Sequence, residues 1–461
     1  MGKKGFHSSG RNAAFDKDYT KGSIIGNVLM LSWPMIINQS LNMLGPTIDM
    51  IWVGKIGAAS IAGVGVSGIA VMMANSAMMG LSMSLRAIIA RFVGAGDVVG
   101  ANHVARQGFF FSIGFCICIG LIGVFLAEPM LIAFGLEPDV VVEGAAYLRI
   151  MFMGSITMSF RMMGEGIMQS SGDALTPMRI AIFFRLFHVA LCPFLVLGWW
   201  VFPYMGVRGA ALANIISQGL GMAIGMWVLF SGRSRVRLTL SGFRVDMNII
   251  WRIIKIGIPA SLQGMGRNLG NLVLMLLMVP FGTLGIAAHT IIHRVDGLLV
   301  MVSIGFGNSA GVLVGQNLGA QQPERAEKSG WMAANLTEVY AVICVAVLLL
   351  WPEEIISIFN TDPALVELGS SFLRIAATGL IVLGFSVTLS HCISGAGDTL
   401  PPMLIIMISL WVIQMPLAFL LSRFTDLGIY GVRWGVVIGQ LVAAVMYTTY
   451  FKLGRWKRKK V

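Results

Sequence analysis

Charge is what this 461-residue chain has least of: Lys, Arg, Asp and Glu make up 12% of it, against 56% hydrophobic residues. A water-soluble core needs a charged and polar coat, so this balance excludes an ordinary soluble domain. Cysteine is sparse as well. Cys116, Cys118, Cys192, Cys344 and Cys392 all fall in apolar windows without paired, exposed spacing, which argues against a disulfide framework or a zinc site. The chain has no Gly-x-x-x-x-Gly-Lys-Ser/Thr loop, so ATP hydrolysis is not expected of it. It shows no metal-ligand cluster and no nucleophile elbow, and no enzyme activity or cofactor is expected. The first apolar window is too long for a cleavable signal peptide and lacks a small-residue cleavage site.

What the chain does have is about a dozen apolar windows of the ~20-residue length that crosses a bilayer. Helices are expected near 25–52, 60–85, 105–127, 144–170, 176–201 and 206–231, then near 249–280, 286–314, 328–351, 365–394, 402–422 and 429–452. The two sets are copies. Gly172-Asp173-Ala174-Leu175-Thr176-Pro177-Met178 returns as Gly397-Asp398-Thr399-Leu400-Pro401-Pro402-Met403, a shift of 225 residues (398 − 173). The same shift carries Pro34 onto Pro259, Gly94-Ala95 onto Gly319-Ala320, and Gly206-Val207-Arg208 onto Gly431-Val432-Arg433. Four motifs at one spacing imply an internal repeat. The expected fold is an all-α integral membrane protein of twelve transmembrane helices in two six-helix bundles, 25–231 and 249–452. Paired bundles of this kind build the central site of secondary transporters.

The net charge of +12 follows the same plan. Lys3, Lys4, Arg11, Lys17 and Lys21 precede the first helix, in a basic segment 1–24. Arg233, Arg235, Arg237 and Arg244 lie in a linker, 232–248, and Arg455, Lys457, Arg458, Lys459 and Lys460 in a tail, 453–461. Even-numbered connections add Arg91, Arg106, Arg325 and Lys328, whereas odd-numbered ones hold Glu128, Glu137, Asp139, Glu353, Glu354, Asp362 and Glu367. Basic residues collect on the cytoplasmic side. Both termini and the linker are therefore expected in the cytoplasm of a multi-pass protein of the cell's cytoplasmic (inner) membrane. The basic excess is topology with some attraction to anionic lipid, and no nucleic-acid partner is expected.

Ionisable side chains within a span cost roughly 3 kcal/mol or more, so each is a candidate. Asp49 leads. It stands near the outer end of the first helix, in Asn42-Met43-Leu44-Gly45-Pro46-Thr47-Ile48-Asp49-Met50-Ile51-Trp52, where Gly45 and Pro46 favour a bend. A carboxylate in an apolar cavity suits reversible protonation; the bland alternative is a helix-end Asp facing water. Its repeat counterpart is Leu274, so the fold itself does not demand an acid there. His188 and Cys192 share one face of the fifth helix at i, i+4, ahead of Pro193, and Asn214 on the sixth is a plausible neighbour. Asp49, His188, Asn214 and Cys192 form the ion-coupling set. Asn42, Arg161, Glu165, Arg267, Arg294 and Asp296 are candidates for substrate binding or a buried polar network, with Arg161 and Glu165 a natural i, i+4 pair. Glu338, His289, His293 and His391 are further embedded polar groups. In the repeated loops, Gly supplies a left-handed position, Asp caps the next helix and Pro occupies its first turn, a structural role needing no ligand. The 31 methionines add weak support for an adaptable pocket.

These residues together resemble the multidrug and toxic compound extrusion (MATE) family over nearly the whole chain. The matching pieces are Leu31-Ser32-Trp33-Pro34, Asp49-Met50-Ile51-Trp52-Val53-Gly54, Ala90-Arg91-Phe92-Val93-Gly94-Ala95-Gly96-Asp97, the Gly172 and Gly397 loops, Gly206-Val207-Arg208-Gly209-Ala210-Ala211, Ala287-Ala288-His289 and Gly315-Gln316-Asn317-Leu318-Gly319-Ala320. The resemblance implies a V-shaped pair of bundles, a monomer, and antiport of small organic, often cationic, molecules against a proton or sodium gradient. It maps the family's first-helix acid onto Asp49. Where related members carry an Asn and an Asp on the fifth helix, this chain has His188 and Cys192, which weakens the case for sodium, an ion that prefers hard oxygen ligands. Where another branch has a Glu on the seventh helix, this chain has Arg267. A lipid-linked oligosaccharide flippase of the wider superfamily remains an alternative, because Arg161, Arg185, Arg267 and Arg294 are suited to pyrophosphate. A non-transporting receptor or scaffold is disfavoured by the two-fold repeat and the embedded acids.

Overall fold

In lipid every backbone N–H and C=O must find a partner within the protein, so long apolar runs become helices. A computed structural model describes residues 18–133, 135–239 and 242–459; Lys3, Lys4, Arg11, Lys17 and Lys460 lie outside them. The helices are α1 (Ile24–Val53), α2 (Ala58–Gly94), α3 (Val98–Ala133), α4 (Pro138–Met153), α5 (Ser155–Ser170), α6 (Leu175–Leu197), α7 (Gly206–Phe230), α8 (Met247–Met278), α9 (Gly282–Gly319), α10 (Pro323–Leu350), α11 (Pro352–Ser357), α12 (Pro363–Gly395), α13 (Leu400–Met407), α14 (Met415–Phe424) and α15 (Ile429–Leu453). No strand occurs among the described residues.

Ten stretches of the described residues are long and apolar enough to cross a membrane, and α4 with α5 makes an eleventh. One of the ten, Met247–Gly319, is 73 residues long. As a straight helix it would run about 110 Å, several bilayers thick, so it is two passes, α8 and α9, turned at Val279–Phe281. Twelve crossings result, as the repeat requires. The chain departs from expectation within the fourth crossing. In place of one helix over 144–170, α4 and α5 meet at a 47° bend at Gly154. Gly154 lies so close to Ile215 that a Cβ there would overlap the isoleucine side chain. The eleventh crossing is also divided: α13 and α14 are joined by a wide π-helical turn, Ile408–Gln414, just before Pro416.

The two copies meet on the face that carries both chain ends, and they meet reciprocally. A Cβ on Gly94 would come within 1.9 Å of the Gln316 carbonyl, and one on Gly319 within 2.0 Å of the Arg91 carbonyl. Gly94 and Gly319 are repeat equivalents, and so are Arg91 and Gln316. Deeper in, Gly80 lies against Ser261 while its equivalent Gly305 lies against Ile36, the equivalent of Ser261. Hydrogen bonds cross the seam from Arg91 Nη2 to the Ala396 carbonyl (2.8 Å), Gln316 Nε2 to the Ser170 carbonyl (2.8 Å) and Asn268 Nδ2 to Ser76 Oγ (2.8 Å). An apolar core spans both copies here, with Leu31 and Met35 of α1 packed among Leu313, Ile393 and Phe451.

The segment joining the copies is strapped to the start of α3. Gln107 Nε2 donates to the Arg244 carbonyl, Asn102 Nδ2 to Thr239 Oγ1 and Arg106 Nη1 to the Thr239 carbonyl, while Val236 and Leu238 are buried. Asp246 caps α8 and lies 3.3 Å from His103 Nε2; that hydrogen bond holds its carboxyl below the usual carboxylate range.

The seam yields a direct test. Gly94→Val or Gly319→Val should force the α2 and α9 ends apart at a cost of ~3 kcal/mol, lowering the thermal unfolding midpoint of the purified protein by several degrees. Gly65→Val is the control, since nothing lies within 4 Å of a Cβ there. Equal midpoints for all three variants would show that the reciprocal contact does not hold the copies together.

Candidate functional site

Asp49 is buried inside the first bundle. α1 carries it past the Gly45-Pro46 pair, α6 brings His188 and Cys192 one turn apart on the facing side, and α7 brings Asn214. Asn214 Nδ2 donates to Asp49 Oδ2 at 3.0 Å, and Cys192 Sγ lies 3.9 Å from Asp49 Oδ1. His188 Nε2 is 3.0 Å from the same Oδ1, but off the line of a hydrogen bond. The expected coupling set is thus assembled around one carboxylate. Asp49 is 1% exposed and His188 and Cys192 not at all, so the bland reading of Asp49 as a helix-end acid in water fails.

Arg185 decides which proton His188 carries. Its Nη1 lies 3.1 Å from His188 Nδ1. A guanidinium only donates, so Nδ1 must accept, and the ring proton belongs on Nε2, facing Asp49. The same logic tests the site for a metal. A carboxylate oxygen, an imidazole nitrogen and a thiol lie within 4.8 Å of one another, a spacing a metal ion could bridge. A ligating histidine, however, offers one bare nitrogen to the metal and donates its other N–H to an acceptor. Arg185 imposes the opposite arrangement on His188, which does not suit a metal ligand. Room for the guanidinium comes from Gly45, where a Cβ would sit 2.5 Å from Arg185 Nη1.

A polar chain leads from Asp49 toward the seam. Asn214 Oδ1 accepts from Gln218 Nε2 (3.0 Å), Gln218 Oε1 accepts from Arg161 Nε (2.7 Å), and Arg161 Nη1 is ion-paired with Glu165. At the end of this chain Arg86 of α2 lies over Gly166, with Nη1 3.3 Å from Gln169 Oε1. Arg161 and Arg185 both lean on the Phe184 ring. Asn42 is nearby but does not touch Asp49: its amide donates to Asn38 Oδ1, and its carbonyl lies 3.5 Å from Arg185 Nη2.

The other candidates lie apart. Asp296 pairs with Arg433 of α15 (3.9 Å), and Arg433 also reaches the His289 carbonyl. His289 and His293 stack at 6.5 Å. Arg294 is exposed and forms no ion pair with these groups, because two residues from Asp296 it points to the opposite side of α9. Arg267 is half-buried beside the seam without a carboxylate partner. Of the two loop acids, Asp173 caps α6 through Thr176 N (3.0 Å), and burial raises its carboxyl above the usual range. Asp398 departs from the expected capping role: it accepts from Tyr450 Oη (2.6 Å) and Lys459 Nζ (3.0 Å). Gly172 and Gly397 are left-handed, as expected. Arg185 as the partner of His188, Gln218 and Arg86 were missed as site residues. For the first two the signal was present: Arg185 precedes His188 by three residues and Gln218 follows Asn214 by four, each on a shared helix face.

The tautomer is measurable. In protein with 15N-labelled histidine, His188 should show a protonated Nε2 and a bare Nδ1, and Arg185→Gln should release that preference. A spectrum with Nδ1 protonated in the native protein would overturn the assignment.

The family model MatE matches residues 34–194 and again 259–420, two segments whose starts are 225 residues apart (259 − 34). The Multidrug resistance protein NorM of Burkholderia vietnamiensis is 28% identical over 435 residues, covering 92% of each chain, and a NorM protein of Thermotoga maritima is 26% identical over 438 residues, 94% of this chain and 93% of its own. A MATE structure in the bent conformation superposes with a TM-score of 0.89 at 24% identity, over 96% of this chain and 98% of its own. A Pyrococcus furiosus transporter of the MOP superfamily, described as having a binding pocket of reverse polarity, superposes at 0.90 and 24% identity, over 98% and 100%. With most of its length matched by the family model in two consecutive copies, the chain belongs to the MatE family of membrane transporters.

Proposed function

We propose that the chain is a secondary active multidrug efflux antiporter, exporting organic compounds in exchange for protons by alternating access. The carrying observation is a fully buried carboxylate, Asp49, whose neighbours are an imidazole, a thiol and an amide. Sodium needs several hard oxygen ligands; one carboxylate among N and S donors suits a proton instead. The multidrug-resistance names of the NorM relatives support export of organic compounds. The basic ends and connecting segment support a multi-pass protein of the cytoplasmic membrane with both termini inside. The seam is closed on that inner face, and a structure of the same fold is described as outward-facing, which supports a site reached from outside. We take the working unit to be a monomer of two bundles, joined at 232–248.

The geometry gives the proton a consequence. While Asp49 is charged, it balances Arg185 and anchors Asn214. A proton arriving from outside neutralises Asp49, leaves Arg185 without its counter-charge and weakens the pull on Asn214. α1 is free to bend at Gly45-Pro46, and the change passes through Gln218 to the Arg161–Glu165 pair. A lipid-linked flippase keeps one observation in its favour, the embedded arginines.

The test is dye efflux from proteoliposomes under an imposed pH gradient or an imposed sodium gradient. The expected outcome is proton-driven movement, reduced at least tenfold in Asp49→Asn. Efflux driven by sodium, or an Asp49→Asn protein that works at the native rate, would sink proton coupling through Asp49.

A further inference from the structure

The seam holds a second set of polar groups that proton coupling at Asp49 does not use. Beneath the cleft lies a cavity of about 20 Å³, lined by Met83 and Arg86 of α2, Gly307 and Asn308 of α9, and His391 of α12. Its two basic side chains come from different copies, Arg86 from the first and His391 from the second. The Arg86 side chain lies over Gly166, and the His391 side chain lies against Gly307 while its backbone meets Gly311. Each copy therefore contributes one nitrogen-rich side chain to the lining of the same cavity. Arg86 Nε and His391 Nδ1 are without a hydrogen-bond partner, although most embedded polar groups elsewhere are paired. Arg267 adds a further positive charge beside His391.

The charge of this region has one sign. From Asp49 to the seam the embedded arginines are Arg86, Arg161, Arg185 and Arg267, and the carboxylates are Asp49 and Glu165. That leaves a net +2 (four less two) before any substrate is present, and a cation brought here meets repulsion in a medium of low dielectric. A guanidinium with free N–H groups, an imidazole and an amide are instead the donor set for a carboxylate or a phosphate.

We infer that Arg86, His391 and Asn308 are the anion-binding end of the substrate site, so that the exported compounds carry a carboxylate or phosphate on an apolar body. This rests on the export reading above and supplies its substrate class. It also gives a route for coupling. Glu165 is the carboxylate nearest to Arg86 along the polar chain, and Arg161 holds it away. Protonation of Asp49 loosens the Asn214–Gln218–Arg161 chain, and Glu165 turns to Arg86 in place of the bound anion. The competing groups carry the same charge, so proton uptake and anion release are linked with the sign an antiporter needs.

The experiment uses the full chain and one apolar body in three charge states: fluorescent nitrobenzoxadiazole-dodecanoate, its methyl ester, and the quaternary ammonium analogue of equal length. Binding to the purified protein is read by fluorescence anisotropy, and transport in proteoliposomes under a pH gradient. The carboxylate should bind at least tenfold more tightly than the other two. Arg86→Gln should lose about tenfold in that affinity, and Arg86→Lys should retain most of it. Glu165→Gln should bind the anion but fail to release it on acidification. Tighter binding of the ammonium analogue, or anion binding unchanged in both Arg86→Gln and Arg267→Gln, overturns the inference. Arg86-dependent binding without transport of any analogue keeps the anion site and removes the export reading. Fluorescent phosphatidylglycerol is the second probe: its Arg86-dependent movement, where the dodecanoate is ignored, identifies a lipid headgroup as the source of the anion.

Discussion

Everything in this molecule depends on two helix ends being allowed to touch backbone to backbone. Gly94 and Gly319 close α2 and α9 at a distance that no side chain permits, each against the carbonyl of the other's partner turn. The reciprocity has a topological cause. Six crossings are an even number, so the second copy enters the membrane in the same direction as the first, and the axis relating them runs along the membrane normal. Equivalent residues then face one another at equal depth. Pairs related by 225 residues recur down the seam, from Gly94 and Gly319 to Gly80 and Gly305. Small residues at such crossings let helices pack closely where lipid offers no hydrophobic drive.

Embedded charges are costly unless paired, and most of the arginines here find partners. Arg161 and Glu165 satisfy each other one turn apart, and Arg161 also reaches Gln218. Arg185 finds His188 and a carbonyl of α1. Unsatisfied atoms remain on Arg86 and His391 at the seam, and also on Arg185, His289, Asp296, Glu338 and Arg433. Removing one member of the buried Arg161–Glu165 pair leaves the other charge stranded, which costs about 3–5 kcal/mol. A group in such a pair moves only when something replaces its partner, and this makes the chain from Asp49 a plausible transmission line for a single proton.

Much of this was legible in the sequence because membrane folding leaves few choices. Apolar runs of sufficient length had to be helices, the repeated motifs had to be copies, and Asp49 stood out because lipid penalises an acid. The i, i+4 spacings of His188 and Cys192, and of Arg161 and Glu165, placed each pair on one face before any coordinates. What escaped were relations between distant helices. A charge on a neighbouring helix was expected for Asp296, but that it is Arg433 depends on how α15 packs beside α9. Asp398 reads as a cap like Asp173, but Tyr450 and Lys459 from the end of the chain claim it. The break at Gly154 was invisible because its cause is Ile215, sixty residues away.

The scaffold is symmetric and its chemistry is not. Where the first copy has Asp49 the second has Leu274, buried in an apolar cluster with Met278, Ala288 and Leu410. The partners follow suit: His188 corresponds to Ile413 and Asn214 to Gly439, so no element of the proton site is duplicated. The ion pair of the second copy, Asp296 with Arg433, is not duplicated either: the equivalent positions in the first copy are Val71 and Arg208. Under the proposed exchange, a proton can therefore bend only the first bundle, and the second serves as the wall against which it moves. An axis along the membrane normal cannot interchange inside and outside, so the seal on the opposite face must come from different residues than Gly94 and Gly319. The outer halves of α1, α2, α8 and α9 are the surfaces left to form it, and α1 is the one among them that carries both the Gly45-Pro46 pair and a buried acid, Asp49.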